Sequence, residues 1–588
     1  MESVQIGGYV GGRIEDCIRT RVQLQDVDHL TAPFRTKNDT ASWQTEFWGK
    51  WVQGAIASYR YNHSVALYAK IKKSVDDIIS TQQPDGYIGN YRLDAQLKSW
   101  DIWGRKYTTL GLLSWYEISG EKQALNAACR VIDHLMTQVG EGGTNIVTTG
   151  NYYGMASSSI LEPVMYLYKY TGDYKYLQFA KYIVAQWETP EGPQLITKAI
   201  NGVPVAARFP HPFDWFSPEN GQKAYEMMSC YIGLLELYKV THNAAYLDAV
   251  QKTVNDIANT EINVAGSGSA FESWYSGRKY QTSPTYHTME TCVTFTWMQL
   301  CDKLLALTGN PFYADQIEKS LYNALMAALK DDASQIAKYS PMEGHRCEGE
   351  EQCGMHINCC NANGPRAFAL IPDFAVKMGN EVYVNYYGDM SASLENGHNK
   401  VLVKQHTTYP VSNVIDITID VTKENVFGLH LRVPVWSAQT VITLNGEELK
   451  DICPGTYHAI TRKWKKGDHI QIILDMPARL LEQNQMQAIV RGPIVLARDS
   501  RFNDGFVDET LVVDSEDGIV KAEVDSVPGF AWMRLKVPVT VGTDLEGVGM
   551  YRNISFCDFA SAGNTWDKQV RYRVWIPRTL DVKKGHLK

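Results

Sequence analysis

No run of 18 apolar residues occurs in the 588-residue chain, so no membrane-spanning helix is expected. The opening Met1-Glu2-Ser3-Val4-Gln5 lacks both the basic segment and the apolar core of an export signal. As it stands the chain is expected in the cytoplasm, or in the periplasm if a signal was trimmed. An excess of one charge is also missing. The net charge is −8 and the pI near 6.0, which leaves no footprint for nucleic acid or an anionic membrane surface. The eleven cysteines are odd in number and eight are scattered or far apart, which excludes a disulfide framework.

What remains is ordinary soluble protein, 44% hydrophobic and 21% charged, long enough for about three or four domains. The 15 Trp and 33 Tyr are many. Packing accounts for most of them, and the rest suit a cleft whose aromatic rings meet the apolar C–H faces of sugars.

Residues from about 14 to 375 read as helices. Leu67, Ile71, Val75 and Ile78 recur with helical spacing, as do Trp297, Leu300, Cys301, Leu304 and Leu307. A weak repeat runs through this half, an apolar helix ending at Ser119-Gly120, Thr171-Gly172, Thr241-His242 or Thr308-Gly309, with a second helix following at once. Glycine at three of these ends suits left-handed caps. Each unit is an αα-hairpin, and the irregular spacings of 52, 70 and 67 residues favour an α/α toroid with inserted loops over an open α-solenoid scaffold. After about residue 380 the period changes to two. Ile415, Ile417, Ile419 and Val421 alternate with polar residues, and Asn445-Gly446 is a hairpin turn. The expected organisation is a toroid over 1–380, its first residues a candidate sandwich strand, then β-sandwiches over 381–485 and 486–588.

The chemistry lies between Glu272 and Arg366. Glu290-Thr291-Cys292 begins the Trp297 helix, and Cys359-Cys360 follows 67 residues after Cys292. Adjacent cysteines strain to bond each other, yet both can turn to one metal. Three thiolates and a carboxylate form a tetrahedral set suited to Zn²⁺. From the residues alone, buried free cysteines, or a structural zinc knot that includes Cys347 and Cys353, account for the pattern equally well.

The chain resembles the β-L-arabinofuranosidase family, glycoside hydrolase family 127, over nearly its whole length. The resemblance is carried by Trp48-Gly49-Lys50-Trp51, Gln83-Pro84-Asp85-Gly86-Tyr87, Trp100-Asp101-Ile102-Trp103, Glu290-Thr291-Cys292, Cys359-Cys360 and Gly364-Pro365-Arg366, in that order. It implies an α/α toroid followed by β-sandwiches, and a zinc held by Glu290, Cys292, Cys359 and Cys360. It further implies that Cys359 is the nucleophile of a retaining glycosidase that takes an oligosaccharide or polysaccharide side chain. The implied general acid lies shortly upstream of the Glu-x-Cys turn. Glu272 is the only carboxylate close enough, although Phe271 precedes it where the family tends to have glycine. Flanking Phe271 and Trp274 are expected to raise its pKa by desolvation. Histidines common in the family's sugar-facing loops are missing around Lys106, Ser157-Ser158-Ser159 and Gly221-Gln222-Lys223. Trp103, Lys106, His345 and Arg346 are the expected sugar contacts.

The default substrate is a terminal β-L-arabinofuranoside. One rival is an acidic branched L-sugar such as aceric acid, whose carboxylate Arg105, Lys106 and Arg346 would bind. Another is a non-catalytic carbohydrate-binding protein with a structural zinc, which predicts a metal site in closed packing rather than at an open pocket. A homodimer is left open.

Overall fold

The computed structural model describes residues 3–283, 285–396, 399–525, 529–543, 549–578, 580–581 and 586–587. Six helices form an inner ring: Thr45–Asn62, Asp101–Ser119, Leu161–Thr171, Ala224–Thr241, Thr291–Thr308 and Cys359–Ala375. Each packs on the next, and the last packs against the first, so the ring closes. Outer helices such as Val65–Ser80, Lys122–Gln138 and Ala244–Asp256 lie against them.

Burial explains the two layers. An outer helix needs one apolar face, and Lys122–Gln138 buries Ala124, Ala127, Ala128, Val131, Ile132 and Leu135 along one stripe. An inner helix touches neighbours on all sides, and every residue from Ala224 to Leu237 is buried. A charged residue inside such a helix is therefore a costly exception. The connections follow the expected caps: Gly120, Gly172 and Gly309 close helices at φ 71°, 69° and 66°, and His242 does so at 52°. Asp173, Asn243 and Asn310 then cap the helices that follow.

Beyond Ala375 the chain is strands. A seven-stranded sheet includes Met390–Asn396, Asn399–His406, Val414–Val421 and Asp468–Ile473, and faces a four-stranded sheet containing Asn425–Val433 and Thr456–Trp464. The Val414–Val421 strand alternates as read, with Ile415, Ile417 and Ile419 fully buried. Ser3–Ile6 adds to the edge of the larger sheet by pairing antiparallel with Met390–Asn396. A further sheet contains Ala478–Gln483, Met486–Arg491, Ile494–Asp499, Arg534–Thr543 and Gly549–Asp558. Buried Arg432 ties helix to sheet, reaching Asp315 at 2.5 Å and Glu318 at 2.6 Å. No helix among the described residues is long and apolar enough to cross a membrane.

Candidate active site and metal centre

One mouth of the ring opens into a cavity of about 290 Å³, and Cys359 and Glu290 lie on its wall. Two helix starts build the cluster beneath it. Asn358 caps the last inner helix, its side chain accepting from Cys360 N and Asn361 N, which places Cys359 and Cys360 in the first turn. Glu290 precedes Thr291–Thr308, and Cys292 lies in that helix's first turn. Thr291 N donates to Lys338 O at 3.0 Å, fastening this helix to the chain between the two motifs. Both helices direct their positive ends at the sulfurs and the carboxylate, which favours the ionised forms.

The four ligand atoms lie within 4.8 Å of one another. Cys292 Sγ is 3.7 Å from Cys359 Sγ and 3.4 Å from Cys360 Sγ, and the two adjacent thiols are 3.9 Å apart. Glu290 Oε1 is 3.7 Å from Cys359 Sγ and 3.6 Å from Cys360 Sγ. The arrangement can hold a metal ion. Four acidic groups this close resist ionising together. Burial works against the Cys292 thiol, but hydrogen bonding with Cys359 and Cys360 and the charge of Lys50 bring it down to about 6. Its partner Cys359 is pushed up to about 12, first by that hydrogen bond, and burial drives Glu290 well above the usual carboxylate range. A bound cation would remove the conflict.

Exposure separates the thiols. Cys359 is 8% exposed, whereas Cys292 and Cys360 are at 0%. Among the described residues Cys359 is the only cysteine on the cavity wall.

Glu272 also reaches this cavity. Lys223 Nζ lies 2.9 Å from one carboxylate oxygen, and Lys338 Nζ 2.8 Å from the other, which also accepts from Tyr339 OH at 3.1 Å. Burial opposes its ionisation, but the two ammonium groups outweigh burial and hold the carboxyl well below its ordinary range. The expected upward shift is therefore corrected. Trp274 is buried beneath the loop and Phe271 stacks on His287, while the lysines that decide the charge come from distant segments.

Trp103 lines the cavity and donates its indole N–H to Glu46, which also accepts from Lys50 at 2.8 Å. The other expected sugar contacts lie elsewhere. Lys106 is buried inside the ring with Nζ 4.4 Å from the Trp103 ring centre, and burial lowers its pKa to about 8. Arg346 is 1% exposed, donates to Ala562 O at 2.6 Å and Phe559 O at 2.7 Å, and packs against Phe559 and Tyr572. His345 is exposed. The reason is local: Glu343–Gly344 pairs with Tyr572–Arg573, which carries His345 and Arg346 onto the C-terminal sheet instead of the cavity. Sequence reasoning passed over Glu46 and Lys338 and held Glu226, with Glu343, only in reserve as a general acid; Glu46, Glu226 and Lys338 all line the cavity. Glu46 and Glu226 carried a signal, a carboxylate in the mostly apolar first turn of an inner helix. Lys338 carried none.

The family profile described as "Beta-L-arabinofuranosidase, GH127 catalytic domain" matches residues 13–373, and that of the GH127 middle domain matches 381–476. A non-reducing end beta-L-arabinofuranosidase of Bifidobacterium longum is 22% identical over 78% of this chain and 75% of its own length. The solved structure of a GH127 beta-L-arabinofuranosidase from Geobacillus stearothermophilus T6 superposes with a TM-score of 0.80 at 17% identity, covering 98% of this chain and 100% of that one. A second solved GH127 beta-arabinofuranosidase gives 0.79 at 19% identity, covering 98% and 97%. At such identities these structures establish the fold, an α/α toroid with β-sandwich modules. The two matched profiles span most of the sequence, and the chain belongs to glycoside hydrolase family 127 and is a glycosidase.

Proposed function

We propose that this glycosidase releases a terminal β-L-arabinofuranose from a plant-type glycan with retention. In this reading Cys359 is the nucleophile, Glu272 the acid and base, and Glu290, Cys292, Cys359 and Cys360 hold a zinc ion. The observation that carries the reading is that Cys359 alone among the three clustered thiols faces the cavity. The other two are sealed beneath it, as ligands that do no chemistry would be.

Zinc suits the donor set. A tetrahedral ion with Zn–S bonds of about 2.3 Å sets S···S edges of about 3.8 Å and S···O edges of about 3.5 Å. Five of the six separations run from 3.4 to 3.9 Å, and all six are within 4.8 Å. When bound, zinc keeps the thiols deprotonated.

Cys359 Sγ attacks the anomeric carbon as the bond to the leaving oxygen breaks, and that oxygen takes a proton from Glu272. Glu272 then removes a proton from water, the water oxygen attacks the same carbon, and the C–S bond breaks to return the Cys359 thiolate. In the free enzyme the lysines hold Glu272 as the base of the second step. Its acid role requires one lysine to turn away when substrate arrives.

A cavity of about 290 Å³ is small, and suits one terminal sugar rather than a threaded chain. The acidic-sugar rival loses its cations. Arg105 is fully buried on Asp101 at 2.7 Å, and neither it, Lys106 nor Arg346 lines the cavity. Metal analysis of protein prepared without added zinc tests the reading, with about one zinc per chain expected. Substoichiometric zinc with full activity would end it.

A further inference from the structure

The cavity wall carries seven ionisable Lys and Glu side chains, and six have partners. Lys50 holds Glu46 at 2.8 Å, Lys223 and Lys338 hold Glu272, and Glu290 belongs to the thiol cluster. Glu226 is the exception. It lies in the first turn of the Ala224–Thr241 helix, 5% exposed, and its Oε2 is buried without a hydrogen-bond partner. A buried carboxyl oxygen with no partner is costly, and native structures keep such a group where something outside the chain completes the bond.

Resting on the function proposed above, we propose that Glu226 recognises the terminal sugar, its free carboxyl oxygen taking one ring or side-chain hydroxyl of the sugar seated over Cys359. Hydroxyls are the chemistry that fits. The neighbouring cation, Lys223 just before the helix and three residues from Glu226, is already committed to Glu272, so no fixed positive charge is spare for an anionic group beside Glu226. The carboxyl can meet a hydroxyl in either protonation state. Burial pushes it up to about 7 against the pull of Lys223, with Glu272 and Glu46 the other charges that face it. As a carboxylate it accepts from the hydroxyl, and as a carboxyl it also donates.

Glu226 thus becomes a specificity-determining residue that touches substrate without taking part in bond breaking. Its loss should be felt in KM more than in kcat, because the bond exists equally in ground and transition states.

The test compares wild type, Glu226→Ala and Glu226→Gln on nitrophenyl β-L-arabinofuranoside and its 2-, 3- and 5-deoxy analogues, with thermal melting to confirm folding. Wild type should lose roughly 10- to 100-fold in kcat/KM on one deoxy sugar. Glu226→Ala should lose about as much on the parent, mostly through KM, and nothing further on that deoxy sugar. Glu226→Gln should recover much of the loss. A Glu226→Ala enzyme that still discriminates as wild type does overturns the proposal. So does a defect confined to substrates with poor leaving groups, which would make Glu226 the proton donor. If wild type turns over none of these arabinofuranosides, the substrate named above is wrong. The comparison then runs as calorimetric binding of neutral monosaccharides, where equal affinity for wild type and Glu226→Ala overturns the role of Glu226.

Discussion

Two charged chambers of equal size, about 290 Å³ each, lie along the same inner helices. Glu226 and Glu236 share one helix, ten residues or about 15 Å apart, and Cys292 and Lys303 share another with similar spacing. In the Glu236 chamber the buried charges Glu162, Glu236 and Lys303 are answered by one another. Lys303 Nζ meets Glu236 at 2.6 Å and Tyr166 OH at 2.9 Å, and Lys239 holds both oxygens of Glu236 at 2.9 and 3.0 Å. Burial opposes the Glu236 carboxylate, yet the two lysines bring it below its ordinary range. The Glu226 chamber differs: a buried Glu226 oxygen has no partner among the described residues, and three thiols crowd a carboxylate in an arrangement that can hold a metal ion. Buried charge alone does not mark an active site. Bonds left for something else to complete do.

The comparison predicts unequal consequences for mutations at the two ends. Between Glu272 and Lys303, one in each chamber, the larger effect on turnover belongs to Glu272→Gln. Hydrolysis of an unactivated sugar linkage should fall by roughly 10²- to 10⁴-fold, the range for a lost general acid and base. Attack on a nitrophenyl glycoside should suffer far less in its first step, with the second step slowed and rescued by azide. Burst kinetics separate the two, and equal, modest losses on both substrates would remove Glu272 from the chemistry.

Lys303→Met should do the reverse. It leaves Glu236 and nearby Glu162 in the other chamber short of a cation and should cost about 3 kcal/mol of stability, the low end for breaking a buried pair because Lys239 remains. Activity at 25 °C should stay within a few-fold of wild type. Denaturant melts and initial rates check both halves, and a variant that is stable but inactive would mean that the closed chamber takes part in function.

How much of this was legible follows the range of the signal. The ring was readable because hairpins declare themselves locally, by helical period and a left-handed cap at Gly120, Gly172 or Gly309. Both halves of the thiol cluster were readable for the same reason, Glu290-Thr291-Cys292 and Cys359-Cys360 each being a local pattern at a helix start. The electrostatics of Glu272 were not readable. They depend on Lys223 and Lys338, which stand 49 and 66 residues away along the chain and arrive through two different loops. His345 and Arg346 misled because Pro341-Met342-Glu343-Gly344, just before them, reads as a loop into the site. A two-residue strand pairing with Tyr572–Arg573, more than two hundred residues later, turns them aside.

The central claim is that the open thiol, not a carboxylate, attacks the sugar. Incubating the enzyme with an electrophilic L-arabinofuranose analogue and mapping the adduct by peptide mass spectrometry tests it most directly. The account predicts one label per chain, on Cys359, abolished in Cys359→Ser, an enzyme whose turnover should be down by several orders of magnitude because its hydroxyl is not readily ionised. A label on Glu290, Glu272 or Glu226 with Cys359 unmodified would contradict it.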